Sequence, residues 1–345
     1  MTLTAVVVAP GRGTYNRDEL GYLMRNHPDK SALIADFDAF RTGTGQKTIS
    51  ELDGAGRFSG PVHTRGDNAS PLIFACAYSD FLAINQSKID VVAVTGNSMG
   101  WYVALTCAGV LSPLGGLEVV NTMGTLMHES LIGGQLVYPF LDDDWKPVPG
   151  RREEILNKIS EIDVRPDHAL SVSIDLGGMI VLAGNATGLE RFEAEMPRVQ
   201  DRFPMRLPNH SAFHSSLQAA VAEKGRAALS PELFRQPDLP LVDGRGAIWY
   251  PKSSHLDDLY EYTLHHQVVE TYDYSLAIQT AAEEFMPDIL IVLGPGTTLG
   301  GATAQSLVLG GWRGLNSKQA FKKETAVMRR LVAMGDPRDR VSVAQ

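Results

Sequence analysis

Ser98 and a histidine to activate it are the residues whose types and spacing could do covalent chemistry. Ser98 is the centre of Gly96-Asn-Ser-Met-Gly100, preceded by the apolar run Val91-Val-Ala-Val94 and followed by an Ala-containing helical segment that reaches Leu105. Strand, sharp turn and helix are the setting of a G-x-S-x-G nucleophile elbow. The glycines let strand and helix approach closely while the serine Oγ stays exposed. A serine hydroxyl is a poor nucleophile at neutral pH, so Ser98 needs a base within hydrogen-bond reach and donors for the oxyanion it creates. Among nine histidines, His214 stands out in a short loop that feeds a helix, between Ser211-Ala-Phe213 and Ser215-Ser216. His265 and His266 compete with it. With Asp243 they would keep the Ser, Asp, His chain order of an α/β-hydrolase triad.

The elements that must position these groups follow from apolar patterning. Leu3 to Ala9 reads as a first strand, ending at Pro10-Gly-Arg-Gly13, whose glycines let backbone N–H groups face a ligand. That turn lacks the spacing and the lysine of a P-loop. Residues 14 to 70 read as short helices and loops. A buried helix then runs to Ala83, with Pro71 in its first turn. After the elbow, the helix Leu114 to Ser130 carries Leu117, Val120, Met123 and Met127 at helical spacing. Between 135 and 206 the order becomes strand, helix, two short strands, helix, which predicts a split βαβ module. Asp142-Asp-Asp144 inside it reads as a solvated loop and not as a metal site. Leu239 to Asp243 and Asp288 to Gly294 are later strands, and a helix runs from Tyr274 to Phe285. Short, solidly apolar strands alternating with helices predict a parallel sheet covered on both faces. The charged tail from Asp336 is expected to fray.

Composition narrows the function classes. The chain has 345 residues, 44% hydrophobic and 21% charged, with a formal net charge of −9. No Lys/Arg cluster exceeds a pair such as Lys322-Lys323, which argues against nucleic acid as a partner. Cys76 and Cys107 stand in apolar, Ala-rich stretches and read as inert core residues, and neither a disulfide framework nor a zinc spacing is present. The first ten residues lack a basic n-region, and no apolar run of about 18 residues occurs, so neither a signal peptide, a membrane span nor membrane association is expected, and a cytoplasmic location is.

Five short motifs, in order along nearly the whole chain, carry a resemblance. They are Pro10-Gly-Arg-Gly13, the elbow Gly96-Asn-Ser-Met-Gly100, Ser211-Ala-Phe-His-Ser215, the segment Gln267 to Tyr274, and Leu293-Gly-Pro-Gly296. Together they resemble the malonyl-CoA:acyl carrier protein transacylases and the related acyltransferase domains of polyketide and fatty acid synthases. The resemblance implies an α/β fold. Residues 1–134 and 207–335 would form an α/β-hydrolase-like large subdomain with a short parallel sheet, 135–206 an inserted ferredoxin-like α+β subdomain, and 336–345 a tail. It further implies Ser98 as nucleophile, His214 as base, the main-chain carbonyl of Gln267 as the group that orients the imidazole, and the N–H groups of Met99 and Arg12 as the oxyanion hole. The implied reaction is ping-pong exchange between acyl-CoA and the phosphopantetheine thiol of an acyl carrier protein, by a monomer without a cofactor.

The departures from that family's pattern concern the acyl pocket, expected from Asn97, Trp101, Met123, Phe213 and Ser70. Met123 stands where the family has a malonyl-binding arginine. A thioether in place of a guanidinium suits an apolar acyl chain. Asn97 replaces the usual His, Trp101 a Glu or similar polar residue, Arg12 a Gln, and Ser70 a Gln. An uncharged acyl group is therefore expected, the alternative being that Arg12 takes over the carboxylate. Two further readings are an acyl-thioester hydrolase that clears carrier proteins and a non-catalytic homologue that only binds them.

Overall fold

The structure, a computed structural model, describes residues 2–344. Its strands are β1 (Leu3–Ala9), β2 (Ile89–Gly96), β3 (Gly134–Pro139), β4 (Leu170–Leu176), β5 (Met179–Gly184), β6 (Met205–Arg206), β7 (Leu241–Val242), β8 (Ile248–Trp249), β9 (Tyr272–Asp273), β10 (Ile289–Val292) and β11 (Leu331–Ala333). The larger sheet has the order β11-β10-β1-β2-β7-β8. It is parallel except for the edge pair β7–β8. Its central strand β1 is buried from Ala5 to Ala9, as a strand covered on both faces must be. The expected parallel α/β core is therefore present.

The second sheet has the order β6-β3-β5-β4-β9. Helices Arg151–Asp163 and Ala186–Glu195 connect β3 to β4 and β5 to β6. With β3–β6, β3–β5 and β4–β5 all antiparallel, this is the ferredoxin-like βαββαβ arrangement. Strand β9, far along the chain, adds to it in parallel, with Ile174 opposite Tyr272. That addition ties the small sheet to the body of the protein directly beside the elbow, because the Tyr272 hydroxyl donates to the Gly96 carbonyl at 2.6 Å.

The elbow glycines have a measurable reason. A Cβ on Gly96 would lie 2.3 Å from the Gly100 carbonyl, and one on Gly100 would lie 2.3 Å from the Ala9 carbonyl. Between them Ser98 has φ 56°, the left-handed region that side chains avoid. Gly100→Ala is expected to destabilise the fold by about 3 kcal/mol, since backbone and not a flexible side chain must give way; a thermal melt against wild type measures it.

Two expectations are corrected. The helix of Pro71 runs from Gly66 to Ala83, so the proline sits inside it and not in its first turn. A proline there cannot donate to the carbonyl four residues back. Arg41 supplies the missing donor, its Nη1 meeting the Asp67 carbonyl at 2.8 Å. The tail is also more ordered than its charge implied. Pro337–Val343 is a helix, and Arg340 Nη1 reaches the buried Asp80 carboxylate at 2.7 Å. His27 and Tyr22 also bond Asp80, so the charges are paired within a network. Among the described residues, no helix is long and apolar enough to cross a membrane.

Candidate active site

Strand β2 delivers Ser98 to the N-terminus of helix Gly100–Cys107. Its Oγ lies 2.7 Å from Nε2 of His214. On the other side of the ring, Nδ1 bonds the Gln267 main-chain carbonyl. A carbonyl only accepts, so the proton sits on Nδ1 and Nε2 is left as the acceptor for the Ser98 hydroxyl. The imidazole is thereby held in the tautomer that a general base needs, by a neutral group where other serine enzymes use a carboxylate. Gln267 immediately follows a π-helical turn, Tyr262–His266, a widening frequent at functional sites.

Burial lowers the pKa of His214 to about 4, an effect that the Gln267 hydrogen bond partly offsets. The ring is therefore neutral at physiological pH. Because the folded pKa lies below the unfolded value, the unfolded chain binds more protons between about pH 4 and 6.5, and stability falls as pH falls through that window. Taken alone, His214 contributes a loss of about 3 kcal/mol across it. As pH is lowered from 7 to 4, the melting temperature of wild type should fall further than that of His214→Gln.

The N–H groups of Met99 and Arg12 donate to no other group among the described residues. The Met99 N–H stands at the positive end of a helix, where backbone donors favour anions. Arg12 sits on the Pro10–Gly13 turn, which packs against the elbow so closely that a Cβ on Gly11 would lie 2.6 Å from the Asn97 carbonyl.

A narrow cleft of about 30 Å³ opens at Ser98, room for about two water-sized groups. Arg12, Ser70, Met99, Met123 and Phe213 all border it, together with His214 and Gln267. The close crossing of helices Gly66–Ala83 and Pro113–Glu129 brings Ser70 and Met123 there, since a Cβ on Gly66 would lie 2.6 Å from the Gly124 carbonyl. Tyr102, Val120, Met127 and Val268 also border it. Val120 and Met127 had a helical spacing readable as core, which hid a second role. Two expected pocket residues lie elsewhere. Trp101 is wholly buried. Its Nε1 donates to Thr263 Oγ1 at 3.0 Å and its ring meets Tyr262 edge to face. One residue along a helix turns a side chain by about 100°, which takes Trp101 away from the opening. It instead ties the elbow helix to the π turn ahead of Gln267. Asn97 does not border the cleft either.

Arg12 is the cationic group at the cleft. Its Nη2 donates to the carbonyls of Thr64 at 3.0 Å and Asn209 at 3.3 Å, and its guanidinium lies 5.5 Å from the centre of the Phe213 ring. Its Nε is buried without a partner. Desolvation lowers its pKa to about 10, which leaves it charged at neutral pH.

The competing triad does not assemble. The Asp243 carboxylate is taken by Arg245 and by Trp249 Nε1 at 3.0 Å, and His265 and His266 belong to the π turn. Neither cysteine has the exposure that reactivity needs, and burial raises both thiol pKa values. Among the described residues no group of three or more His, Cys, Asp or Glu could hold a metal ion. Asp142 Oδ1 instead accepts from the N–H groups of Asp144 and Lys146.

The architecture around this site is shared along its whole length with a solved acyl-carrier-protein S-malonyltransferase from Burkholderia pseudomallei, at a TM-score of 0.76 and 20% identity over 99% of both chains. The fold is that of the malonyl-CoA:acyl carrier protein transacylases. A second solved transacylase of this fold, in complex with a type II polyketide acyl carrier protein, superposes with a TM-score of 0.73 and 18% identity over 99% of this chain and 98% of its own. Among curated relatives, the malonyl CoA-acyl carrier protein transacylase of Salmonella typhimurium is 26% identical over 153 residues, 44% of this chain and 46% of its own. The chain spans about half the length of the curated transacylases it matches. Polyketide synthase proteins align as well, over a small part of their length. No protein-family model matches the chain. The homologues and structural neighbours are thus acyltransferases.

Proposed function

We propose that the chain is an acyltransferase that moves an acyl group from coenzyme A to the phosphopantetheine thiol of a carrier protein through an ester on Ser98. The observation that carries this reading is the line from Ser98 Oγ to His214 Nε2, and from His214 Nδ1 to the Gln267 carbonyl. Ser98 Oγ attacks the thioester carbonyl, His214 takes the hydroxyl proton, and the N–H groups of Met99 and Arg12 hold the oxyanion. The C–S bond then breaks and the coenzyme A thiolate receives the proton from His214. A carrier thiol reverses the sequence. The exchange of one thioester for another is nearly isoenergetic, so exclusion of water from the ester decides whether the outcome is transfer or hydrolysis. A cleft with room for about two water-sized groups, walled by Met123, Met127 and Phe213, supports exclusion once a short acyl chain fills it. A carrier protein as partner is supported by the complex that the solved neighbour forms with one.

The test is acceptor dependence. Acyl-enzyme freed of coenzyme A should persist in buffer and discharge on addition of holo-carrier protein; decay at the same rate without the carrier would make the protein a hydrolase. For the acyl group, Met123 supports an uncharged, short chain. The unpaired Nε of Arg12 at the cleft favours a second reading, a carboxyacyl group. Under it, malonyl-CoA loads Ser98 and Arg12→Gln removes that loading.

A further inference from the structure

Two buried side chains, Gln135 and Ser173, and the half-buried His210 form a line that ends on the peptide just before His214. The Gln135 Nε2 donates to Ser173 Oγ at 2.6 Å, and Ser173 Oγ donates to the Phe213 carbonyl at 2.8 Å. At the far end, His210 Nδ1 meets Gln135 Oε1 at 2.8 Å. The directions are forced. The Phe213 carbonyl only accepts, so the single Ser173 proton goes to it and Ser173 must accept from the Gln135 amide. Gln135 then turns its oxygen to His210, which donates from Nδ1. Burial and the neighbouring Arg12 lower the His210 pKa to about 3, so that ring is neutral and the line carries no net charge.

Ser173 holds an unusual position in its strand. The β4–β5 pairing shifts register between Val172 and Ile174, which makes Ser173 the extra residue of a bulge, and its side chain is fully buried. Bulges re-aim side chains and occur beside active sites. The group it holds is under strain: His214 has φ 55°, a left-handed conformation that is unfavourable for a non-glycine residue and persists only where surroundings enforce it.

We propose that Ser173, oriented by Gln135, is a positioning residue for His214: by fixing the Phe213 carbonyl it holds the imidazole within reach of Ser98. This rests on the reading of Ser98 and His214 as nucleophile and base. It assigns the small sheet a part in serine activation, through β3 and β4, in addition to the tie that β9 makes to the elbow.

A small fluorophosphonate tests it without an acyl-CoA. Ser98 Oγ forms the O–P bond, the P–F bond breaks, fluoride leaves, and His214 takes the hydroxyl proton. Ser173→Ala, and Ser173→Cys, which keeps the shape with a larger atom that donates weakly, should each lower the maximal inactivation rate about tenfold and leave the half-saturating probe concentration unchanged. Gln135→Leu should cost less, because the Ser173 hydroxyl can still donate, and Gln135→Leu/Ser173→Ala should be no slower than Ser173→Ala, as expected of groups acting through one contact. Melting temperatures accompany each rate; should Ser173→Ala fail to fold, Ser173→Cys and Gln135→Leu decide. A wild-type rate in Ser173→Cys, a change confined to half-saturation, or additive losses would overturn the proposal. If wild type reacts with the probe but no acyl-CoA loads it, the acyltransferase reading fails and the positioning role stands. If wild type does not react with the probe at all, both fail.

Discussion

Ser98→Ala is expected to abolish covalent loading by any acyl-CoA and to reduce transfer to a carrier protein by about 10⁴-fold or more, the loss typical when the nucleophile of a concerted set is removed. The fold should survive, because the side chain is only half-buried and alanine removes one atom. Its φ of 56° is a cost that alanine shares with serine, so the melting temperature should stay close to wild type. Intact mass after incubation with acyl-CoA reads the loading, and a thermal melt reads the fold. An alanine variant that still gains the mass of an acyl group would place the nucleophile elsewhere. The two buried cysteines offer no substitute.

His214→Ala is the second large effect, an expected loss of about 10³- to 10⁴-fold in the acylation rate, with the half-saturating acyl-CoA concentration nearly unchanged because the imidazole acts on the proton and not on binding. The pH dependence follows from burial. Only the neutral ring accepts the Ser98 proton, and the free-enzyme pKa is lowered to about 4. The wild-type acylation rate should therefore hold between pH 7 and 5 and fall only as pH approaches 4, where an ordinary histidine would already fail near 6.5. Stopped-flow release of coenzyme A across that range measures it. His265→Ala and His266→Ala serve as controls expected near wild type, since both belong to the turn that precedes Gln267 and neither side chain bonds Ser98 or His214.

The elbow was legible because its requirements are local. Apolar strand, glycine, serine and glycine lie within ten residues, and the close approaches at Gly96 and Gly100 depend on that segment and on β1. The two sheets were legible for the same reason, through runs of apolar residues and their alternation with helices. What escaped was set by distant partners. The order of the last helix depends on Asp80, which lies 260 residues from Arg340, so its charges resembled a solvated tail. Pro71 resembled a helix start because nothing nearby shows that Arg41 satisfies the Asp67 carbonyl. Trp101 was misplaced because sequence neighbours on a helix point in different directions. Two-residue strands such as β8 and β9 carry too few side chains to show a period, yet β9 brings Tyr272 to the elbow. Gln135 and Ser173 looked like ordinary polar positions in half-buried strands, and a bulge cannot be seen without its partner strand.

The most direct measurement is the mass of the intact protein after brief incubation with acetyl-, butyryl-, malonyl- or methylmalonyl-CoA, with Ser98→Ala alongside. Wild type should gain the mass of one acetyl or butyryl group on Ser98, with little malonyl or methylmalonyl, and Ser98→Ala should gain none. Efficient malonyl loading would contradict the uncharged acyl group and assign its carboxylate to Arg12, while no loading by any of the four would contradict a short-chain acyl-enzyme on Ser98.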